Sequence, residues 1–233
     1  MSGTKLDELK RQAAIKSMEF VRDGMVVGLG TGSTATHMII ALGERIKQGL
    51  TIKGVPTSRE TAELARAHSI ELIETEDRWV IDVTIDGADQ ADPQLNLIKG
   101  GGGALLKEKI VATAARQLVI IVDHTKCVPV LGGSFPLPVE VVPFGWGNTA
   151  RQIEALGFKA VLRKRNGEIF RTEAGHYILD LQIPRIDRPE ELELQLNALP
   201  GVVETGLFVG RTDVLIVSTP AGVEITRAEP RRG

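Results

Sequence analysis

The chain has 233 residues, of which 42% are hydrophobic and 25% are charged, and its formal net charge at pH 7 is −2. This composition is typical of a soluble globular protein. The charge balance provides neither a basic surface for nucleic acid nor a polybasic membrane anchor. No apolar run approaches the ~20 residues that span a bilayer. Because Cys127 is the single cysteine and the first twenty residues lack a secretory signal, we expect a cytoplasmic protein without internal disulfides.

The first half of the chain alternates short apolar strands with amphipathic helices. The pattern predicts strands at 25–29, 51–55, 80–85 and 118–122, and helices at 33–47, 58–68 and 103–116. The two later strands lack polar alternation, which is typical of strands covered on both faces. This alternation predicts an α/β fold with a doubly wound, mostly parallel, Rossmann-like sheet.

The pattern changes near residue 132, where glycine and proline become frequent. The later predicted elements are helices at 148–156 and 188–199, strands at 159–163, 168–172 and 177–182, and a buried strand at 213–218. Asn166-Gly167 favours a two-residue hairpin turn. We predict a Rossmann-like catalytic domain of residues 1–132 and 206–233, and a second, smaller α+β domain with antiparallel strands at 133–205.

A glycine-rich turn, residues 28–34, joins the first predicted strand to its helix. Glycine lets the backbone approach a ligand, and the free N–H groups at a helix start attract an anion, so the turn predicts a small phosphate site. A dinucleotide site is disfavoured because Ser33 interrupts the G-x-G-x-x-G spacing, and a Walker A loop because no lysine precedes Ser33 or Thr34. An ordinary turn with Ser33 or Thr34 near the helix N-cap remains an alternative.

An acidic turn follows the third predicted strand. Asp86-Gly87-Ala88-Asp89 places two carboxylates three residues apart at the strand's carboxyl end, where open α/β sheets bind ligands. The alternative is an Asx-type turn in which both side chains bond only their own backbone.

Lys99 precedes four consecutive glycines, Gly100 to Gly103. Because such a run costs backbone entropy and packs no side chains, it favours a loop whose backbone approaches a ligand beside Lys99.

Glu108 follows on the predicted helix 103–116. Its neighbours three and four positions away are all apolar: Ala104, Leu105, Val111 and Ala112. Burial there would raise the pKa of Glu108, which would suit a base that removes a proton from carbon. The alternative is a solvated helix corner at 107–109.

In order and spacing, these segments resemble the ribose-5-phosphate isomerase type A family. The motifs that carry the resemblance are Gly-Thr-Gly-Ser-Thr (30–34), Asp-Gly-Ala-Asp (86–89), Leu-Ile-Lys-Gly-Gly-Gly-Gly-Ala-Leu-Leu-Lys-Glu-Lys-Ile (97–110) and Asp-His-Thr-Lys (123–126). The resemblance covers nearly the whole chain. It implies an aldose–ketose isomerase of the non-oxidative pentose phosphate pathway that interconverts D-ribose 5-phosphate and D-ribulose 5-phosphate through an enediolate. It also implies a homodimer or homotetramer that needs no cofactor.

The resemblance further implies roles for individual residues. Glu108 would be the general base, Lys99 would stabilise the enediolate, and Asp86 would assist proton transfer at the sugar oxygens. The substrate-binding residues would be Thr31, Gly32, Ser33, Thr34, Asp86, Gly87, Ala88, Asp89, Lys99, Gly100, Gly101, Gly102 and Lys126. Lys10 stands where an N-terminal lysine of the family reaches the phosphate. Gln90 stands where the family usually has glutamate, and so removes a charge beside the acidic turn.

Functions of other classes remain alternatives. A sugar-phosphate-sensing regulator would need a DNA-binding module, and no helix-turn-helix pattern precedes residue 20. An acyl-CoA transferase would need a nucleophilic glutamate in another loop context, and a sugar-phosphate deaminase would release ammonia. Because no cluster of histidine, cysteine and carboxylate has ligand spacing, we expect no metal site.

Overall fold

A computed structural model describes residues 3–73 and 78–229. The contacts divide the chain into two compact units. Unit 1 comprises residues 1–88, 107–127 and 211–233, and unit 2 comprises residues 89–106 and 128–210. Segment 89–106, expected in the first domain, belongs to unit 2 because its two short strands form a sheet with residues 207–208.

The described residues form both α-helices and β-strands. The helices are α1 (Gly3–Ser17), α2 (Ser33–Lys47), α3 (Arg59–Ala67), α4 (Leu105–Ala114), α5 (Trp146–Ala155) and α6 (Pro189–Asn197). The strands are β1 (Val26–Leu29), β2 (Lys53–Pro56), β3 (Glu71–Leu72), β4 (Val83–Asp86), β5 (Gln90–Ala91), β6 (Leu97–Ile98), β7 (Leu118–Asp123), β8 (Leu137–Val141), β9 (Lys159–Leu162), β10 (Lys164–Arg165), β11 (Glu168–Ile169), β12 (Tyr177–Gln182), β13 (Val202–Thr205), β14 (Leu207–Phe208), β15 (Val214–Thr219) and β16 (Gly222–Arg227).

Unit 1 is built on a seven-stranded sheet with the order β16-β15-β7-β4-β1-β2-β3. Every pairing in it is parallel except that of β16 with β15. Strands β4 and β7 are buried along their whole length, as apolar strands covered on both faces must be. The predicted doubly wound α/β fold is confirmed, and β15 returns to this sheet as expected. The sequence pattern did not predict α1, whose buried residues include the small Ala13 and Ala14 and give a weak apolar periodicity.

Unit 2 contains the predicted antiparallel strands. Its four-stranded sheet has the order β13-β8-β12-β9, and every pairing in it is antiparallel. β10 and β11 form the predicted hairpin, in which Asn166 and Gly167 both have positive φ, at 54° and 85°. That conformation belongs to the two-residue turns that match strand twist. The predicted strand 168–172 ends at Ile169, and strand β8 was not predicted because prolines at 136 and 138 disguise it. Across residues 3–73 and 78–229, no helix combines the length and apolar character needed to cross a bilayer.

Candidate active site

The predicted site residues are divided between the two units. Unit 1 holds Thr31, Gly32, Ser33, Thr34, Asp86, Gly87, Ala88, Glu108 and Lys126, and unit 2 holds Asp89, Lys99, Gly100, Gly101 and Gly102. In unit 1, β1, β4 and β7 are parallel neighbours, so the turns after them leave the same edge of the sheet. We call this edge the carboxyl edge. It carries the 30–34 turn, the Asp86 turn and Lys126.

Gly32, and not a serine hydroxyl, caps helix α2. Gly32 has φ 107°, a conformation that favours glycine, and no side chain caps this helix. The first helical hydrogen bond runs from Thr36 N–H to the Gly32 carbonyl at 2.9 Å. The expectation of an N-cap at Ser33 or Thr34 is therefore wrong, because Ser33 already has helical geometry. The Ser33 hydroxyl is exposed and accepts a hydrogen bond from Lys10 Nζ at 3.0 Å, which places a cation beside the helix N-terminus.

Asp86 joins the two turns of the carboxyl edge. Its side chain is 1% exposed, and its Oδ1 accepts from Gly87 N–H at 2.7 Å and from Thr31 N–H at 3.1 Å. A Cβ added at Gly30 would lie 2.1 Å from Asp86 Oδ1, so only glycine fits there. Because Thr31 lies 55 residues away in sequence, an Asx-type turn with only local bonds is the wrong interpretation for Asp86.

Hydroxyl groups cluster around Thr31, and this cluster was not predicted from the sequence. Thr31 Oγ1 lies 2.7 Å from Thr57 Oγ1, 2.9 Å from Ser58 Oγ and 3.1 Å from Thr61 Oγ1. Thr57 Oγ1 also donates to the Leu29 carbonyl, and Thr61 Oγ1 to that of Gly30. Thr31 is thus engaged within the protein, where it fixes the turn. The signal for this cluster was present in the hydroxyl residues that follow β2.

Glu108 is buried on helix α4, with 5% of its surface exposed. Lys107 is exposed and Lys109 is buried, so a solvated helix corner is the wrong interpretation for Glu108 and Lys109. The helix packs closely against β1, since a Cβ added at Gly28 would lie 2.7 Å from Val111 Cγ1. A carboxylate on a tightly packed helix has a fixed position, which a base requires.

Lys126 lies just beyond β7, in a 3-10 helix of residues His124–Lys126. The Asp123 side chain caps this helix by accepting from Thr125 N–H at 2.9 Å. Lys126 is half-buried, and its backbone lies at the carboxyl edge of unit 1.

In unit 2, Lys99 is 3% exposed and its backbone is fixed by a glycine opposite it. Lys99 N–H donates to the Gly206 carbonyl at 2.9 Å, and a Cβ added at Gly206 would lie 2.4 Å from the Lys99 carbonyl oxygen. Lys99 Nζ lies 5.4 Å from the centre of the Phe208 ring. This distance allows a cation–π interaction, which holds the ammonium group in a defined direction.

The glycine loop after Lys99 is held by charged side chains of unit 2. Gly101 N–H donates to Asp89 Oδ2 at 2.8 Å, so Asp89, like Asp86, bonds backbone outside its own turn. Arg163 Nη1 donates to the carbonyls of Gly100 and Gly101, at 2.8 and 3.2 Å. No sequence pattern indicated Arg163, because its bonds are to backbone atoms more than 60 residues away.

Gln90 uses its amide group to bind backbone within unit 2. Its Nε2 donates to the Gly132 carbonyl at 2.9 Å and to Ser134 Oγ at 3.3 Å, and its Oε1 accepts from Gly132 N–H at 2.8 Å. The side chain is buried. Gln90 therefore joins segment 89–106 to the turn at Gly132.

We expect Gln90→Glu to lower the free energy of unfolding by about 1–3 kcal/mol, the usual cost of leaving a buried hydrogen-bonding group unsatisfied. An ionised carboxylate cannot donate to the Gly132 carbonyl, so this oxygen would lose its partner. Urea unfolding measures the change, and Gln94→Glu at an exposed position serves as the control. Equal stability of Gln90→Glu and the wild type at neutral pH would show that the amide bonds contribute nothing.

The chain is similar in sequence to several known proteins. A family model described as ribose 5-phosphate isomerase A (phosphoriboisomerase A) matches residues 53–222. The ribose-5-phosphate isomerase A of Gloeobacter violaceus is 53% identical over 221 residues, which cover 94% of this chain and 96% of that protein. That of Bradyrhizobium diazoefficiens is 47% identical over 239 residues, covering 98% of this chain and 99% of that protein.

Solved structures agree with the sequence comparisons. Ribose 5-phosphate isomerase A from Methanocaldococcus jannaschii has a TM-score of 0.91 and 41% identity, covering 95% of this chain and 99% of that one. A D-ribose-5-phosphate isomerase in complex with phospho-erythronic acid has a TM-score of 0.92 and 41% identity, with the same coverage.

Proposed function

Because this chain belongs to the ribose 5-phosphate isomerase A family, we propose that it interconverts D-ribose 5-phosphate and D-ribulose 5-phosphate through an enediolate, with Glu108 as the general base. Family membership makes the chain an aldose–ketose isomerase and decides against the sensor, transferase and deaminase alternatives. The observation that carries the assignment of the base is the burial of Glu108 on a tightly packed helix.

The proposed reaction needs one base and one proton carrier at the oxygens. Glu108 removes the proton from C2 of the open-chain aldose, and the C2–H electron pair forms the C1–C2 double bond. The π electron pair of the C1 carbonyl moves to O1, which becomes an oxyanion and takes up a proton. The enediol then loses the O2 proton, C2 becomes a carbonyl, and Glu108 returns its proton to C1. The isomerisation needs no external oxidant or reductant. Asp86, buried at the carboxyl edge of unit 1, is proposed to assist the transfers at O1 and O2.

The negative charge that develops on the sugar oxygens needs a fixed cation. Lys99 suits this role because its side chain is buried and directed over the Phe208 ring, so little reorganisation is needed as charge appears. Asp89 and the backbone of Gly100, Gly101 and Gly102 are proposed to hold the sugar hydroxyls. The ligand of one relative, phospho-erythronic acid, supports an enediolate, since its planar carboxylate resembles an enediolate in shape and charge.

The phosphate is proposed to bind at the N-terminus of helix α2. Backbone N–H groups of Ser33 and Thr34 precede the first helical hydrogen bond, and the helix dipole favours an anion there. Lys10, bonded to the Ser33 hydroxyl, supplies a positive charge at the same place. Gly32, Gly87 and Ala88 contribute backbone, and Lys126 contributes a second ammonium group.

We expect turnover to survive exhaustive treatment with EDTA, because every proposed step uses side chains of the chain itself. The assay follows ribulose 5-phosphate formation from ribose 5-phosphate, with and without chelator, at equal enzyme concentration. Loss of turnover with EDTA and its recovery on adding a divalent cation would contradict metal independence. Absence of ribulose 5-phosphate under either condition would overturn the proposed function.

We also propose that the protein is a cytoplasmic homodimer or homotetramer. Its single cysteine suits a reducing compartment. Sedimentation velocity of the purified chain measures the assembly, and a monomer at micromolar concentration would contradict it.

A further inference from the structure

The loop after Lys99 cannot hold its own conformation. Its four glycines carry no side chains, and Gly100 and Gly103 have φ values of 102° and 92°. Glycine loses more conformational freedom on folding than any other residue, so a defined shape here must be imposed by neighbouring groups. One turn bond, from Gly103 N–H to the Gly100 carbonyl at 3.0 Å, lies within the loop.

The peptide group between Gly100 and Gly101 is held at both of its polar ends. Its carbonyl oxygen, that of Gly100, accepts from Arg163 Nη1 at 2.8 Å. Its N–H, that of Gly101, donates to Asp89 Oδ2 at 2.8 Å. This single peptide group therefore connects the guanidinium group of Arg163 to the carboxylate of Asp89 through two hydrogen bonds.

Arg163 is itself fixed by a bidentate pair with Asp180. Nε lies 2.9 Å from Oδ2 and Nη2 lies 2.5 Å from Oδ1, and the two side chains are 12% and 17% exposed. The centre of the Phe170 ring lies 5.9 Å from the guanidinium carbon. A largely buried ion pair contributes little net stability because desolvation offsets the attraction, so its rigid geometry is its more useful property.

Resting on the function proposed above, we infer that Arg163 is a positioning residue for the isomerisation: by fixing the Gly100–Gly101 peptide it sets the direction of the Asp89 carboxylate toward the sugar hydroxyls. Arg163 touches no reacting atom in this role. Lysine cannot replace it, because one ammonium group cannot bond two carbonyls and both carboxylate oxygens of Asp180 in the same fork.

The test compares Arg163→Lys with the wild type in three quantities: kcat/KM, the Ki of phospho-erythronic acid and the Ki of inorganic phosphate. We expect kcat/KM to fall about 10- to 100-fold, as small misplacements of substrate-positioning groups do, and the Ki of phospho-erythronic acid to rise about 10-fold or more. The Ki of inorganic phosphate should stay unchanged, since its proposed site lies on helix α2. If the variant were only partly unfolded, the concentration of active enzyme would fall. Neither Ki would change, because an inhibition constant does not depend on the enzyme concentration.

Arg165→Lys is the matched control. Arg165 stacks on the same Phe170 ring, at 4.6 Å from the ring centre, but is exposed. Its replacement should leave kcat/KM and both inhibition constants unchanged. A double-mutant cycle with Asp89→Asn adds a second criterion: the variant with both changes should lose no more than the worse single variant, because both act through one peptide.

Wild-type values of kcat/KM and of both inhibition constants in Arg163→Lys would overturn the positioning role, as would additive losses in the double variant. A failed proposed function shows itself differently: the wild type would form no ribulose 5-phosphate, or Glu108→Gln would remain active. If the wild type is active, Glu108→Gln is inactive and Arg163→Lys is unaffected, the positioning role of Arg163 is overturned and the proposed function stands.

Discussion

Replacing Glu108 with glutamine is expected to lower kcat about 10²- to 10⁴-fold or more, the usual weight of a positioned general base. Glutamine preserves the volume of the side chain on the packed helix α4 but cannot accept the C2 proton. Because Glu108 is buried, water has little access to act as a base in its place. The difference in kcat between Glu108→Gln and the wild type therefore reports the loss of this base. Initial rates with ribose 5-phosphate, together with exchange of the C2 proton into heavy water, measure the effect.

Glu44→Gln is the control for Glu108→Gln, because it makes the same chemical change at an exposed position on helix α2. It should keep wild-type turnover. Thermal unfolding of both variants checks that the fold is retained. Turnover of Glu108→Gln close to that of the wild type would remove Glu108 from the role of base.

Replacing Lys99 with methionine is expected to lower kcat about 10²- to 10³-fold, as the loss of one fixed oxyanion-stabilising group does. Methionine retains an unbranched apolar side chain for packing against Phe208 but carries no charge. Because the enediolate charge develops after binding, the loss should appear in kcat, with little change in the Ki of inorganic phosphate. Steady-state kinetics over a range of ribose 5-phosphate concentrations separates kcat from KM.

An increase in KM with kcat unchanged would make Lys99 an anchor for the bound substrate and would remove its role in the chemical step. Lys164→Met, at an exposed lysine of unit 2, is the matched control and should behave as the wild type. The two lysine variants together distinguish loss of a fixed charge from a general change in the charge of the protein.

Local sequence patterns were sufficient to predict several helices, strands and turns of the fold. Helix α2 was predicted at 33–47 and strand β12 at 177–182, and the structure has those bounds. The Asn166-Gly167 hairpin was also predicted correctly. Each of these depends on residues close in sequence, where apolar periodicity and turn chemistry act directly on the backbone.

Sequence patterns alone led to the prediction of the site residues: the 30–34 turn, the acidic turn, Lys99 with its glycines, and Glu108 among apolar neighbours. How the turns are held became visible in the folded chain: Gly32 caps helix α2, Thr31 N–H donates to Asp86, and Arg163 donates to the Gly100 carbonyl. The physical reason is that the last two join distant parts of the chain through a backbone N–H or carbonyl. Every residue has a backbone carbonyl, and every residue except proline has a backbone N–H. No side-chain pattern therefore shows which backbone group will form a long-range hydrogen bond.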